Sequence, residues 1–286
     1  MRVGIGLPTT TPGADRDLLL GWARAADGGP FASLGFLDRF VYDSYEVFAA
    51  LAAAAAVTER IELVTMIVIA PLRSAGLLAK QAASVDAISG GRLTLGVALG
   101  ARPEDYEAAG ADRRTRGARF TEQLETIRDM WEQAAIGPRP AGTAPNGRPG
   151  PVILVGGSSG PSLARMARFA DGYVHGGGPP RAFAGMVSRA LAAWSDAGRP
   201  GRPLLYGQGY FALGDERSVE RGAAYLRDYY AFTGPFAEKV AAGNLTSATA
   251  IREFVRGYEE AGCDELVLLP TVSDLAQADR LAQVLA

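Results

Sequence analysis

The chain carries one histidine, His175, one cysteine, Cys263, and two lysines, Lys80 and Lys239. Each scarcity closes off a class of chemistry. A metal-dependent hydrolase gathers several imidazoles and carboxylates around an ion, and a single histidine does not supply that set. A Schiff-base enzyme on a barrel needs a lysine at a strand end, whereas Lys80 falls in a helical stretch and Lys239 in a late loop or helix. One cysteine forbids an intrachain disulfide and fits a cytoplasmic setting, with Cys263 as an inert buried thiol. No apolar run reaches the roughly 18 residues of a membrane span; the nearest, residues 47–57, is Ala-rich and shorter. Met1 leads directly into RVGIGLP, not into a basic and then apolar leader, so no secretory signal is expected. A formal charge of −2 gives no reason to expect binding to nucleic acid or to a membrane surface.

What the chain does have is alternation. Residues 2–7, 34–41, 61–69, 93–99, 152–155, 173–175, 204–213 and 265–269 read as strands. Stretches with apolar spacing of three and four follow them, at 18–26, 45–57, 77–88, 120–131, 163–169, 183–194, 218–230, 250–261 and 275–285. The span from Ile61 to Gly100 shows the unit most plainly: strand, helix, a Gly90-Gly91 stop, strand, then a glycine loop. Eight strands followed by helices in 286 residues predict a single (β/α)8 TIM barrel over residues 1–286. Loop excursions are expected near 101–119, 134–150 and 231–249, and these would set substrate specificity.

Active sites of such barrels lie at the C-terminal ends of the strands. The residues just past the predicted strands are Pro8 and Thr9, Asp38 and Arg39, Met66 onward, Gly100 and Arg102, residues 157–160, His175, residues 208–210, and Pro270 with Thr271. A two-carboxylate glycosidase would need a second acid beside Asp38. A rim rich in glycine and poor in reactive side chains suits a cofactor that carries its own chemistry. The turn GGSSGPS supports this: successive N–H groups and hydroxyls at a helix N-terminus attract phosphate. The alternative is a plain turn, N-capped by Ser159 or Ser162. Arg102 is either a second phosphate contact or a solvated loop arginine. Trp22 and Trp131 read as packing residues.

These pieces together resemble the luciferase-like monooxygenase family of FMN- or coenzyme F420-dependent enzymes. The similarity runs through RVGIGLPT, GFLDRFV, AAAAAVTERIELVT, LLAKQAASVDAISGGRLTLGVALG, RPEDYEAAG, RFTEQLETIRDMW, PVILVGGSSGPSLARMARFADGYV and AGCDELVLLP, in order over essentially the whole chain, and SGGRLTLGV is its most specific piece. The resemblance implies a barrel, often dimeric, binding FMN or F420 at its C-terminal face. It implies a non-prolyl cis peptide at Met66-Ile67 beneath the ring, with Asp38, Ala98, Gly100 and Arg102 beside the cofactor. Gly157, Ser158, Ser159 and Gly160 then form the phosphate loop. Arg39 and His175 are the residues expected near the chemistry: Arg39 either contacts the ring or a substrate anion or pairs with Asp38, and His175 is either a proton donor or a rim histidine. F420-dependent sugar-phosphate dehydrogenases of the family carry a histidine after the strand-two aspartate and a glutamate after the glycine matching Gly100. Arg39 and Ala101 stand there in this chain, so that acid–base pair is missing.

The expected activity is oxygenation of a small organic substrate with reduced FMN delivered by a separate reductase, or hydride transfer from F420. Two rivals are a non-catalytic flavin-binding protein and a phosphosugar isomerase barrel that needs no cofactor.

Overall fold

Short runs of Val, Leu and Ile become strands because branched side chains pack well on a pleated surface, and the amphipathic stretches between them fold as helices over it. The computed structural model describes residues 1–133, 138 and 142–286. The first half contains β1 (Arg2–Gly6), α1 (Arg16–Gly28), β2 (Ser33–Phe36), α2 (Val47–Ala55), β3 (Glu62–Thr65), β4 (Val68–Ile69), α3 (Ala75–Ser89), β5 (Leu93–Ala98), α4 (Pro103–Ala108) and α5 (Arg116–Glu132). The second half contains β6 (Val152–Gly156), α6 (Gly160–Phe169), β7 (Gly172–Val174), α7 (Pro180–Asp196), β8 (Leu204–Phe211), α8 (Glu216–Tyr229), α9 (Phe236–Ala242), α10 (Ala248–Glu260), β9 (Glu265–Pro270) and α11 (Ala276–Leu285).

All pairings between these strands are parallel, in the order β3-β2-β1-β9-β8-β7-β6-β5-β4, and β3 also pairs with β5, which closes the sheet. Because β3 and β4 are two pieces of one stave, the closed sheet is the eight-stave (β/α)8 barrel expected from the alternation. Side chains of alternate parity divide the core. Val64, Leu154, Val174, Tyr206 and Val267 fill the interior. Leu63, Leu95, Ile153, Leu205 and Leu266 face outward under a helical layer that includes Trp22, Leu51, Leu78 and Trp131. The N-terminal face is closed by Arg2, which donates to Glu62 at 2.7 Å and to the fully buried Glu265 at 2.8 Å.

Local signals account for most helix ends. Asp15 and Ser74 accept the N–H groups of Leu18 and Leu77 and cap α1 and α3, and Gly90, at φ +70°, ends α3 where the glycine pair was expected to. Three expectations change. The second strand stops at Phe36, which leaves Asp38 and Arg39 in the loop beyond it. The excursion at 101–119 is not bare loop, because Pro103 starts α4 and α5 begins at Arg116. Buried Asp105 of α4 accepts the N–H groups of Phe40 and Val41, which docks that helix on the rim. In the excursion at 134–150, residues 134–137 and 139–141 lie outside the described residues; Thr143 bridges Pro149 in the remainder.

The third change matters most for the site. Residues 61–69 are all apolar or β-branched apart from Glu62, yet the strand is interrupted between Thr65 and Val68, where the Met66-Ile67 peptide is cis, as the family resemblance implied. The neighbouring β5 accommodates the interruption through Gly96. A Cβ there would lie 2.1 Å from the Thr65 carbonyl oxygen, and the Thr65 hydroxyl donates to the Gly96 carbonyl at 2.7 Å. Replacing Gly96 by Ala must push the two staves apart. We expect Gly96→Ala to lose about 1–3 kcal/mol of stability, the usual range for overpacking, read as a lower urea midpoint; an unchanged midpoint would contradict this close approach.

Candidate active site

The C-terminal barrel face holds a cavity of about 340 Å³. One wall is the interrupted stave, with Met66, Ile67 and Ile69, and Asp38 beside it. The β5 end contributes Ala98, Gly100 and Arg102, and the β6 and β7 ends contribute Gly157, Ser162 and His175. The far wall is Gln208 and Tyr210 of β8 with Tyr229, Tyr230 and Phe232. Of the residues singled out from the sequence, Asp38, Met66, Ile67, Ala98, Gly100, Arg102, Gly157 and His175 thus meet around one space. Arg39, Ser158, Ser159 and Gly160 are not among its lining residues.

The backbone at Gly100 and Gly157 is in the left-handed region, at φ +71° and +119°. A Cβ at Gly100 would lie 2.6 Å from Ile69 Cγ2, and one at Gly157 2.6 Å from Ser162 Oγ. Both positions therefore present bare backbone to the cavity. Tyr106 of α4 donates to the Leu99 carbonyl and fixes the loop between them. The Ser159 side chain N-caps α6, accepting from the Ser162 N–H at 3.3 Å, with the two hydroxyls 2.9 Å apart. The turn thus forms the N-cap arrangement weighed from the sequence, and Ser158, Ser159 and Gly160 remain exposed.

Asp38 does not pair with the adjacent Arg39. It receives both Nη atoms of Arg73, at 2.7 and 3.0 Å, and the Ile69 N–H at 2.9 Å. Burial penalises the Arg73 guanidinium, but the hydrogen bonds with Asp38 outweigh this and keep its pKa above the ordinary value. Arg39 turns to Asp105 at 3.2 Å and to the Val41 carbonyl at 2.9 Å. Its guanidinium also packs over the rings of Tyr42 and Tyr229.

His175 is buried, with Nδ1 3.3 Å from the Tyr173 hydroxyl and its ring against Phe183. Nε2 has no hydrogen-bond partner among the described residues. Burial pushes the imidazole below its ordinary value, opposed by the backbone of Gly177, so it is neutral at neutral pH. Burial likewise pushes Tyr210 well above its ordinary value and raises Tyr230, whose hydroxyls lie 2.7 Å apart. Among the described residues no cluster of three or more His, Cys, Asp or Glu is placed to hold a metal ion.

A model of the luciferase-like monooxygenase family matches residues 1–269. The chain belongs to that family. Members are oxidoreductases and monooxygenases that use reduced flavin or F420. The chain is 35% identical over 168 residues to an uncharacterized protein of Mycobacterium tuberculosis, covering 54% of this chain and 56% of that one. It is 34% identical over 188 residues to the pyrimidine monooxygenase RutA of Methylobacterium radiotolerans, covering 58% of this chain and 47% of that one. These matches therefore span about half the length of the curated relatives. In fold it matches an F420-dependent secondary alcohol dehydrogenase, solved with an F420–acetone adduct, at TM-score 0.79 and 15% identity over 99% of this chain and 97% of that one.

Gln208 and Tyr210 were among the rim residues expected from the sequence, but Arg73, Asp105 and the rest of the aromatic wall, Tyr229, Tyr230 and Phe232, were not. The wall had a signal, since Tyr225 and Tyr229 are four apart on one helix face and Tyr230 and Phe232 follow at once. The partners of Asp38 and Arg39 had none, because both are made by tertiary contacts.

Asp38→Ala leaves the buried Arg73 guanidinium with the half-exposed Glu46 as its remaining carboxylate and should cost up to about 3–5 kcal/mol in chemical denaturation; a loss below about 1 kcal/mol would show that the pair does not fasten the rim. The depressed pKa of His175 means the unfolded chain takes up the proton first as pH falls. Its contribution to stability is complete above the ordinary imidazole value and drains away below it. Thermal midpoints of the native chain should thus fall more steeply than those of His175→Gln between about pH 7 and pH 5, and parallel curves would contradict the assignment.

Proposed function

We propose that the protein holds reduced FMN in this cavity and oxygenates a small organic substrate there. The observation that carries the reading is how few acid–base groups line the cavity: Asp38, the one carboxylate among the lining residues, is bound by Arg73, and His175 is the one lining group whose ordinary pKa lies near neutrality. Such walls bind and orient, and a cofactor must bring the redox chemistry. The relative named as a pyrimidine monooxygenase supports oxygenation over hydride transfer.

The residues fit a planar ring with a phosphate tail. Ile67, Ile69, Ala98 and Val174 offer apolar surface for the ring, and Gly100 and Gly157 let it approach bare backbone. The turn at residues 157–160 and the N-terminus of α6 suit the phosphate. Reduced FMN supplies the electrons and the centre at which oxygen is activated, and a separate reductase would deliver it. The chain's own part is to orient ring and substrate, limit the access of water to a partly enclosed cavity, and keep His175 neutral, with Nε2 unpartnered among the described residues.

Titration with FMN and with F420, followed by cofactor fluorescence, tests this. Saturable micromolar binding of FMN is expected, weakened about tenfold or more by Gly157→Val, equivalent to about 1.4 kcal/mol. Binding of neither would end the proposal. Binding of F420 alone would move the reaction to hydride transfer, and bound FMN that never turns over with oxygen would leave a flavin-binding protein.

A further inference from the structure

Four arginines are buried among the described residues: Arg39, Arg73, Arg102 and Arg128. Three have a carboxylate. Arg39 meets Asp105 at 3.2 Å, Arg73 meets Asp38 at 2.7 Å, and Arg128 meets Asp171 at 2.6 Å. Arg102, 9% exposed, has none among the described residues. Its Nη2 donates to the Tyr229 carbonyl at 2.6 Å, and the rings of Tyr229 and Phe232 pack against the guanidinium with centroids at 4.5 and 4.2 Å. A buried cation without a counter-charge is costly unless a ligand provides one. Arg102 is also the one of the four with no carboxylate that lines the cavity.

The hydroxyl couple next to it points the same way. Tyr230 lies with its ring centroid 5.8 Å from the Arg102 guanidinium, and its hydroxyl is 2.7 Å from that of Tyr210. Two neutral hydroxyls carry two protons, and their mutual hydrogen bond uses one. The second has no acceptor among the described residues, and both tyrosines line the cavity. A guanidinium and a spare O–H donor beside one space, with aromatic rings around them, want anionic oxygen on a flat molecule.

We propose that Arg102 and the Tyr210–Tyr230 couple form a receptor for an anionic oxygen group, the carboxylate of a small aromatic substrate. This assignment to substrate rests on the reading above, in which the turn at residues 157–160 takes the cofactor phosphate. The rings of Tyr229 and Phe232 then serve as the stacking surface, and the substrate neutralises Arg102 as it enters.

Calorimetric titration with benzoate and benzamide, on the protein with and without FMN, tests the proposal. Benzoate should bind at least about tenfold more tightly than benzamide, a preference abolished by Arg102→Gln and reduced several-fold by Tyr230→Phe, which retains the ring. FMN and riboflavin affinities should keep the same ratio in Arg102→Gln as in the native chain. Equal binding of benzoate and benzamide by the native chain would overturn the proposal. So would a loss confined to FMN and absent for riboflavin in Arg102→Gln, which would give the arginine to the cofactor phosphate. A benzoate preference that persists in a chain binding neither FMN nor F420 would support the receptor while refuting the flavin reading.

Discussion

Asp38 fastens the rim on which everything else at the C-terminal face rests. Its two oxygens hold both Nη atoms of Arg73 and the N–H of Ile69, the second residue after the interruption in the third stave. Arg73 in turn reaches Glu46, whose side chain caps α2 at the Ala49 N–H. One carboxylate therefore joins the loop after β2, the short strand β4 and the start of α2. Ile69, held by that bond, is the residue against which Gly100 closes. Taking these charges out of water costs several kcal/mol for each ion, and the two-pronged geometry is what offsets it.

The same rule, that a buried guanidinium brings its own carboxylate, organises the chain well beyond this rim. Arg128 ties α5 to Asp171, which also accepts the Ile153 N–H of β6. Arg39 ties the β2 loop to α4 through Asp105. These charges are neutralised before any ligand arrives, and none of these four residues lines the cavity, whose one carboxylate, Asp38, is also paired. Its tyrosines and its histidine are held neutral by burial. A site of this kind positions a reactive cofactor and a substrate in a medium of low polarity, where each remaining hydrogen bond and the charge of Arg102 count for more than they would in water.

Most of the barrel was legible from local pattern, because strand alternation, helical spacing and glycine stops are properties of neighbouring residues. What escaped was set by contacts distant in sequence. Residues 61–69 read as one strand, since nothing in their own propensity marks a break; the family resemblance, not the local pattern, pointed to the cis peptide at Met66-Ile67, and Gly96 opposite Thr65 makes room for the interruption. Adjacency suggested Arg39 as the partner of Asp38, whereas the fold supplies Arg73, 35 residues along the chain. The cavity-lining part of the glycine turn, Gly157, was readable from composition, and so was the convergence of Gly100 and His175 on the same face. Tyr229 and Tyr230 fell at the end of the stretch read as a helix over 218–230, and it is the closed barrel that brings them to one cavity with Ile67 and Ala98.

A ring cofactor is proposed to occupy the space between the interrupted third stave and the aromatic wall. A crystal structure grown with FMN tests this most directly. The ring is expected against Ile67, Ala98 and Gly100, with the phosphate at the turn of residues 157–160 and Arg102 left clear of it. A flavin seated elsewhere on the chain, or a phosphate resting on Arg102, would contradict it.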